Sequence, residues 1–315
     1  MHSIGEAMGV HAQHIDALWH AMLWVCGIMY VLVLGFLGLA ILRRGRRRDE
    51  REVVHAQDER GLSMTLVAWT GLIVAGLFGL TLFSYFTDRA LVQAASQPQI
   101  NLKITGYQWW WQVEYVDPDP SRSVKTANEI HLPVGAQVSA TLASQDVIHS
   151  FWVPNLHGKQ DLIPGRDNDI RLQPTQAGTY LGICAEFCGL QHSKMHLDVI
   201  VESQEAYNAW YERQLQSAPP PTEPLAQRGQ QVFMSSACNM CHAISGTDAS
   251  ASVGPDLSHV ASRRSLAAGA LPNDADSLFA WISNPQAIKP GSRMPIVPLS
   301  EHDLEALTAY LRTLQ

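Results

Sequence analysis

The sequence predicts a chain of three parts: a transmembrane hairpin of two helices, an all-β domain and a small all-α domain. Three features carry that expectation. Residues 18–42 and 62–86 form two runs of 25 residues without Asp, Glu, Lys or Arg. Short β-branched and aromatic runs separated by Pro and Gly fill residues 99–202. A Pro-rich break, A-P-P-P-T-E-P, then precedes helical patterns across residues 225–315.

Residues 1–17 contain no Lys or Arg and read as a short polar arm. They lack the basic start and brief apolar core of a cleaved signal peptide. As a helix, each uncharged run spans roughly 37 Å at about 1.5 Å per residue, enough to cross a bilayer with some tilt. Arg43, Arg44, Arg46, Arg47, Arg48, Arg51 and Arg60 cluster between the runs, whereas the arm has no basic residue and Arg89 stands nearly alone afterwards. The positive-inside bias therefore places the loop in the cytoplasm and both termini outside. Asp49, Glu50, Glu52, Asp58 and Glu59 dilute the arginines, so the loop reads as an orientation signal rather than a nucleic-acid patch. A charged fraction of 16% suits a part-membrane chain, and a net charge of −7 excludes a globally basic nucleic-acid binder. The arm and hairpin together make up residues 1–98.

The clearest strand signals in residues 99–202 are I-N-L-K-I-T-G-Y-Q-W-W-W-Q-V-E-Y, I-H-L-P-V, Q-V-S-A-T-L-A, G-T-Y-L-G-I-C and H-L-D-V-I-V-E. Their spacing predicts an all-β sandwich or barrel. Trp109, Trp110 and Trp111 are adjacent, and on one strand they cannot all face a core. At least one is expected to face outward or into an interface.

The donor-rich stretch is C-A-E-F-C-G-L-Q-H-S-K-M, Cys184 to Met195. It offers two thiolates, the His192 imidazole and the Met195 thioether, and His149, in D-V-I-H-S-F-W-V-P, is the best additional donor. A single electron-transfer copper uses two His, one Cys and a weak axial Met. The second cysteine is surplus unless both sulfurs bridge a pair of copper ions. Spacing alone leaves open a zinc site of two Cys and two His, which gives Met195 no role, or a Cys184–Cys188 disulfide. The i, i+4 recurrence of Cys184, Cys188 and His192 also allows a helix, but Gly189 and the preceding strand signal favour a loop.

Residues 203–224 read as a helix carrying Tyr207, Trp210, Tyr211 and Leu215, followed by a semi-rigid Pro-rich tether. Beyond it, C-N-M-C-H at Cys238, Cys241 and His242 is the attachment pattern of c-type haem, with the histidine as iron ligand. The topology places it outside, where such haem is attached. Met294, in G-S-R-M-P, has the spacing expected of a sixth ligand, whereas Met234 and Met240 are too close to the attachment site and read as packing residues. His/Met ligation raises a haem potential, which suits a donor to copper. His2, His11, His14, His55, His131, His157, His196, His259 and His302 match no ligand spacing and read as surface or hydrogen-bonded residues.

Taken together, these motifs resemble cytochrome c oxidase subunit II carrying a fused class I cytochrome c. The copper loop C-x-E-x-C-x-x-x-H-x-x-M with an upstream His is matched at every ligand position, and the β domain is similar to the cupredoxin fold. The resemblance implies a dinuclear copper centre, CuA, held by His149, Cys184, the Glu186 carbonyl, Cys188, His192 and Met195. It also implies that the Glu186 carboxylate reaches a magnesium ion shared with the catalytic subunit, and that electrons enter the copper site at Trp109. G-P-D-L and the terminal helix resemble class I cytochromes c, implying that the Pro255 carbonyl orients the haem histidine. The implied partners are catalytic subunit I, subunit III, membrane lipid and an external donor such as a soluble cytochrome c. The implied location is a bacterial-type inner membrane. No residue of this chain is expected to reduce oxygen; it passes electrons to a catalytic subunit. Leu66 stands where many such subunits have a proton-path glutamate, three residues before Trp69-Thr70. A nitric oxide reductase subunit and, in a different class, a membrane-anchored metal carrier are the alternative functions.

Overall fold

The computed structural model describes residues 5–46, 56–93 and 98–315, and its contacts divide into two units. The smaller unit, residues 13–95, is built from α1 (Val10–Arg46) and α2 (Ala56–Gln93). Both helices are long and apolar enough to cross a membrane, and their apolar side chains are largely exposed. Thr65 and Thr81 return their hydroxyls to the carbonyls of Gly61 and Leu77, so neither presents an unpaired donor to lipid. The helices run past the uncharged stretches at 18–42 and 62–86, because Arg, Gln and Glu are good helix formers and a change of polarity does not end a helix. Arg47, Arg48, Arg51, Asp49, Glu50, Glu52, His55 and His2 lie outside the described residues.

The larger unit comprises residues 1–12 and 96–315. The N-terminal arm differs from the polar arm expected. The Met8 amide donates to the Asn155 carbonyl at 2.7 Å, and the Thr175 amide donates to the Met8 carbonyl at 2.8 Å. The arm is an extra backbone segment on the β domain, a long-range pairing that polarity could not reveal.

The fold class expected from the sequence is the one observed. Ten strands form two five-stranded sheets: β1 (Ile100–Tyr107), β2 (Trp110–Tyr115), β3 (Val124–Ala127), β4 (Glu129–Pro133), β5 (Val138–Ser144), β6 (His149–Trp152), β7 (Gln160–Leu162), β8 (Asn168–Leu172), β9 (Gly178–Cys184) and β10 (His196–Glu202). One sheet runs β3-β2-β1-β5-β8 and the other β4-β10-β9-β6-β7. Burial alternates along the strands, as in B-i-B-i-B-i-B along β5, and Ile104, Leu142, Phe151 and Val199 meet in the shared core. The first strand signal is a hairpin: Tyr107 pairs with Trp110 across a turn at Gln108-Trp109. Trp109 therefore lies off the strand, which is how both it and Trp111 can be buried while Trp110 stacks on Tyr107.

α3 (Gln204–Gln214), capped by Ser203, packs Tyr207 and Trp210 onto the sandwich core. The Pro-rich stretch that follows is held on the α-helical region. Pro221 is buried, and its carbonyl accepts from the Gln227 side chain at 3.1 Å. That region contains α4 (Pro224–Ser235), α5 (Ala275–Ser283), α6 (Pro285–Ile288) and α7 (Glu301–Leu311). α4 crosses α7 at Gly229, where any Cβ would overlap the Ala306 carbonyl, so only glycine permits the approach. Phe233 and Tyr310 close the same crossing edge to face.

Candidate functional site

The copper-type donors gather where β6, β9 and the loop after β9 meet. β9 ends at Cys184, and its pairing with β6 sets Phe151 opposite Cys184, which brings His149 to the same end of the sheet. The loop crosses back through a single helical turn at His192–Lys194 into β10. Ligand atoms of His149, Cys184 and Cys188 lie within 4.8 Å of one another, and all three residues are buried. Cys184 Sγ is 3.8 Å from Cys188 Sγ and 3.9 Å from His149 Nδ1. Cys188 Sγ is 3.6 Å from His192 Nδ1 and 3.8 Å from Met195 Sδ, and Cys184 Sγ is 3.2 Å from the Glu186 carbonyl oxygen. The six donor residues therefore converge, while the Glu186 side chain points into solvent.

The neighbouring groups orient these donors. Asp146 Oδ1 sits 2.8 Å from His149 Nε2, which leaves Nδ1 facing the sulfurs. Burial opposes protonation of His149, but the Asp146 carboxylate and the Cys184 sulfur outweigh it and hold the ring above its ordinary pKa. The Cys184 thiol is pulled down to about 3 by its bond from Cys188, against burial and with help from His149, while Cys188 is pushed up by the same sulfur contact and by burial. Such a pair loses a first proton easily and the second when a metal ion binds the sulfur in its place. Gly106 on β1 is required here, because a Cβ would sit 2.8 Å from the His149 ring. The Cys188 carbonyl accepts from Gln108 Nε2 at 2.8 Å and from the Trp109 indole at 3.0 Å.

The second cluster lies on the α-helical region. Cys238 lies within a short helical turn at Ala237–Met240 and Cys241 directly follows it, both half-buried. His242 Nδ1 is 2.7 Å from the Pro255 carbonyl, so this nitrogen donates and Nε2 is left as the free acceptor. Burial holds the ring below the usual histidine range, offset in part by that bond and reinforced by the Arg263 charge. Met294 lies in an irregular stretch where the Gln286 side chain donates to its carbonyl at 3.0 Å. Met234 packs on the core as expected, but Met240, between the two cysteines in sequence, is 72% exposed and packs on nothing in that core.

Several residues that contact or neighbour these sites escaped sequence reading. Asp146 carried one faint signal, its place three residues before His149. Lys289 carried another, as the only lysine in residues 225–315. Arg263 carried none. Trp109 is only 8% exposed: the Lys289 ammonium bonds its carbonyl, and Gly291 lies against its ring.

Comparison with known proteins identifies the two domains. Residues 116–203 match the family described as cytochrome c oxidase subunit II, periplasmic domain, and residues 226–315 match cytochrome c. The chain is 36% identical to cytochrome c oxidase subunit 2 of Alkalihalophilus pseudofirmus over 287 residues, covering 90% of this chain and 82% of that protein. The chain belongs to the cytochrome c oxidase subunit 2 family. It is also 29% identical to the Bacillus sp. PS3 subunit, over 86% of this chain and 79% of that one. Among solved structures, the periplasmic domain of subunit II of cytochrome oxidase from Bradyrhizobium japonicum aligns with 38% of this chain and 95% of its own length, at 28% identity and a TM-score of 0.35. Membership implies a two-pass membrane protein with a periplasmic domain, copper in the β domain and haem c in the helical one, working within an oxidase complex.

Both sites suit these groups. The β domain offers buried, soft, convergent donors. In the helical domain the buried Arg263 Nε has no hydrogen-bond partner among the described residues, and a haem carboxylate would supply one.

Proposed function

We propose that this chain is the electron-input subunit of a haem–copper oxidase, and that it carries a thiolate-bridged copper pair beside a covalently attached haem c. The observation that carries the reading is the convergence of two cysteines, two histidines, a methionine and a carbonyl, six donors where one tetrahedral zinc or one electron-transfer copper uses about four. His149, Cys184, the Glu186 carbonyl, Cys188, His192 and Met195 would hold the pair. Cys238 and Cys241 would anchor the haem, with His242 and Met294 as its axial ligands.

When bound, the copper pair and the haem supply one-electron redox chemistry. The protein supplies orientation and exclusion of water. Asp146 fixes the His149 tautomer, and Pro255 does the same for His242. Trp109 and Gln108 pin the Cys188 backbone, and His149, Cys184, Cys188 and Met195 are buried from solvent. The Glu186 carboxylate is exposed and would reach a magnesium ion shared with the catalytic subunit. Phe187 and Leu190, 77% and 70% exposed beside it, offer that subunit an apolar face. Subunit III, lipid around the hairpin, and a small external redox protein complete the assembly, with both termini of this chain in the periplasm.

Copper and haem quantification of the purified complex, with near-infrared and electron spin resonance spectra, tests the reading. Two coppers per chain sharing one unpaired electron is the expected result. Zinc, or an ordinary single copper(II) signal, overturns it. Consumption of oxygen rather than nitric oxide by the reduced complex identifies the acceptor.

A further inference from the structure

The helical domain does not hang from a loose tether. Lys289, between α6 and the Met294 stretch, is 2% exposed although it is a lysine. Its ammonium group donates to the carbonyls of Trp109 at 2.7 Å, Lys194 at 2.8 Å and Ala267 at 2.9 Å. Two of these acceptors belong to the β domain: one is the backbone of the tryptophan over the copper loop, the other precedes Met195. All three N–H bonds of the charged form are used, which offsets part of the cost of burying it, while burial and the neighbouring Lys194 charge still pull its pKa down to about 7.

Around this group the same two surfaces exchange further bonds. Lys194 Nζ donates to the Ile288 carbonyl at 2.7 Å, and the Gln191 side chain donates to the Pro290 carbonyl at 2.8 Å. On a second strip the Arg264 amide donates to Glu129 at 2.9 Å, Ser265 donates to Asp198 at 3.0 Å, and the His196 amide donates to the Ala268 carbonyl at 3.0 Å. Of these contacts only the Lys289 ammonium reaches both the Trp109 backbone and the copper loop. The Trp109 indole in turn holds the Cys188 carbonyl.

We propose that Lys289 is a positioning residue, a buried clamp that holds the haem domain on the Trp109 backbone and copper loop at one separation and thereby sets the rate of haem-to-copper electron transfer. The proposal rests on the electron-input reading above. It also means that an external donor reaches the copper site through the haem domain, because the Trp109 surface is already covered.

The test uses the complete oxidase complex with its metals and haem. Lys289→Met keeps the length and apolar stem but removes all three bonds, leaving the carbonyls without their donor. A photoexcited ruthenium complex reduces the haem, and the copper near-infrared band reports the onward step. The expected result is a fall of about tenfold or more in the onward rate, from loss of the docked population, with haem reduction by the ruthenium complex and the copper spectrum unchanged. An onward rate equal to that of the unaltered complex overturns the clamp. A variant that fails to fold, or loses haem or copper, hands the decision to native acetylation of the unaltered complex. Lys103, Lys125, Lys159 and Lys194 are the other lysines and are exposed. Lys289 should remain unmodified until the complex is denatured, and labelling at the rate of the other four overturns the proposal. Absence of any onward transfer in the unaltered complex would instead sink the electron-input reading, with Lys289 protection still reporting on the clamp.

Discussion

The two candidate centres are built in opposite ways. In the β domain the donors converge on a scaffold of two five-stranded sheets: β6 and β9 place His149 and Cys184 by backbone pairing, and one loop brings the rest. In the helical domain Cys238 and Cys241 sit half-buried on a single turn, and Met294 lies some fifty residues later in an irregular stretch. Sheets hold a small metal site by hydrogen bonding that exists before the metal arrives. The helical domain has four helices, of which Ala275–Ser283 and Pro285–Ile288 are only 9 and 4 residues long, so it buries a smaller core of its own and a bound group can complete it. The copper site should therefore be preorganised, whereas the haem should be part of its domain's core.

The largest effect that could break this contrast comes from blocking haem attachment. Cys238→Ala combined with Cys241→Ala should abolish cooperative unfolding of residues 225–315 while the sandwich still melts as a unit, as read by amide hydrogen exchange. Retained protection in α4 and α7 would show that the helical core stands alone. Next in size, Cys188→Ser should lower copper affinity by more than about 100-fold, beyond the range of orienting residues, and remove the near-infrared band. The sandwich should stay folded, as circular dichroism would report. Asp146→Asn should cost about 10–100-fold in copper affinity, because it loosens the His149 ring without removing a donor. Competition with a chelator measures it, and no change would mean that the sheet alone fixes the ring.

The smallest effect concerns the arm. Burial holds His157 below its ordinary 6.5, and it packs on His11 with ring centroids 4.2 Å apart. A histidine whose folded pKa is depressed binds more protons when unfolded, so its contribution is lost as pH falls from about 6.5 through the folded value. Hydrogen exchange at the Met8 amide should accelerate across that window and be flat above it. Equal exchange at pH 5 and pH 8, after correction for intrinsic rates, would remove His157 from the account.

Much of this was legible from residue order. The hairpin showed in two uncharged runs, the strands in period-two alternation, and the haem motif in five consecutive residues, all local signals. The loop reading of Cys184 to Met195 followed from Gly189 and the strand before it. The hairpin at Gln108-Trp109 was not legible, since no Asn-Gly or Asp-Gly pair marks it. That omission hid the off-strand position of Trp109. Nor was the arm, whose partners Asn155 and Thr175 lie far along the chain.

By itself, then, the sequence determined which atoms are available: soft donors at set spacing, two apolar spans, and a C-x-x-C-H turn. Those properties depend on residue identity and on the helix and strand periods, which act over a few residues. Only the tertiary structure decided which groups orient the donors and what covers them. Asp146 became a partner of His149 through a turn, and Lys289 a partner of Trp109 across 180 residues. A hydrogen bond exists only when both ends are placed, and no local pattern places the far one.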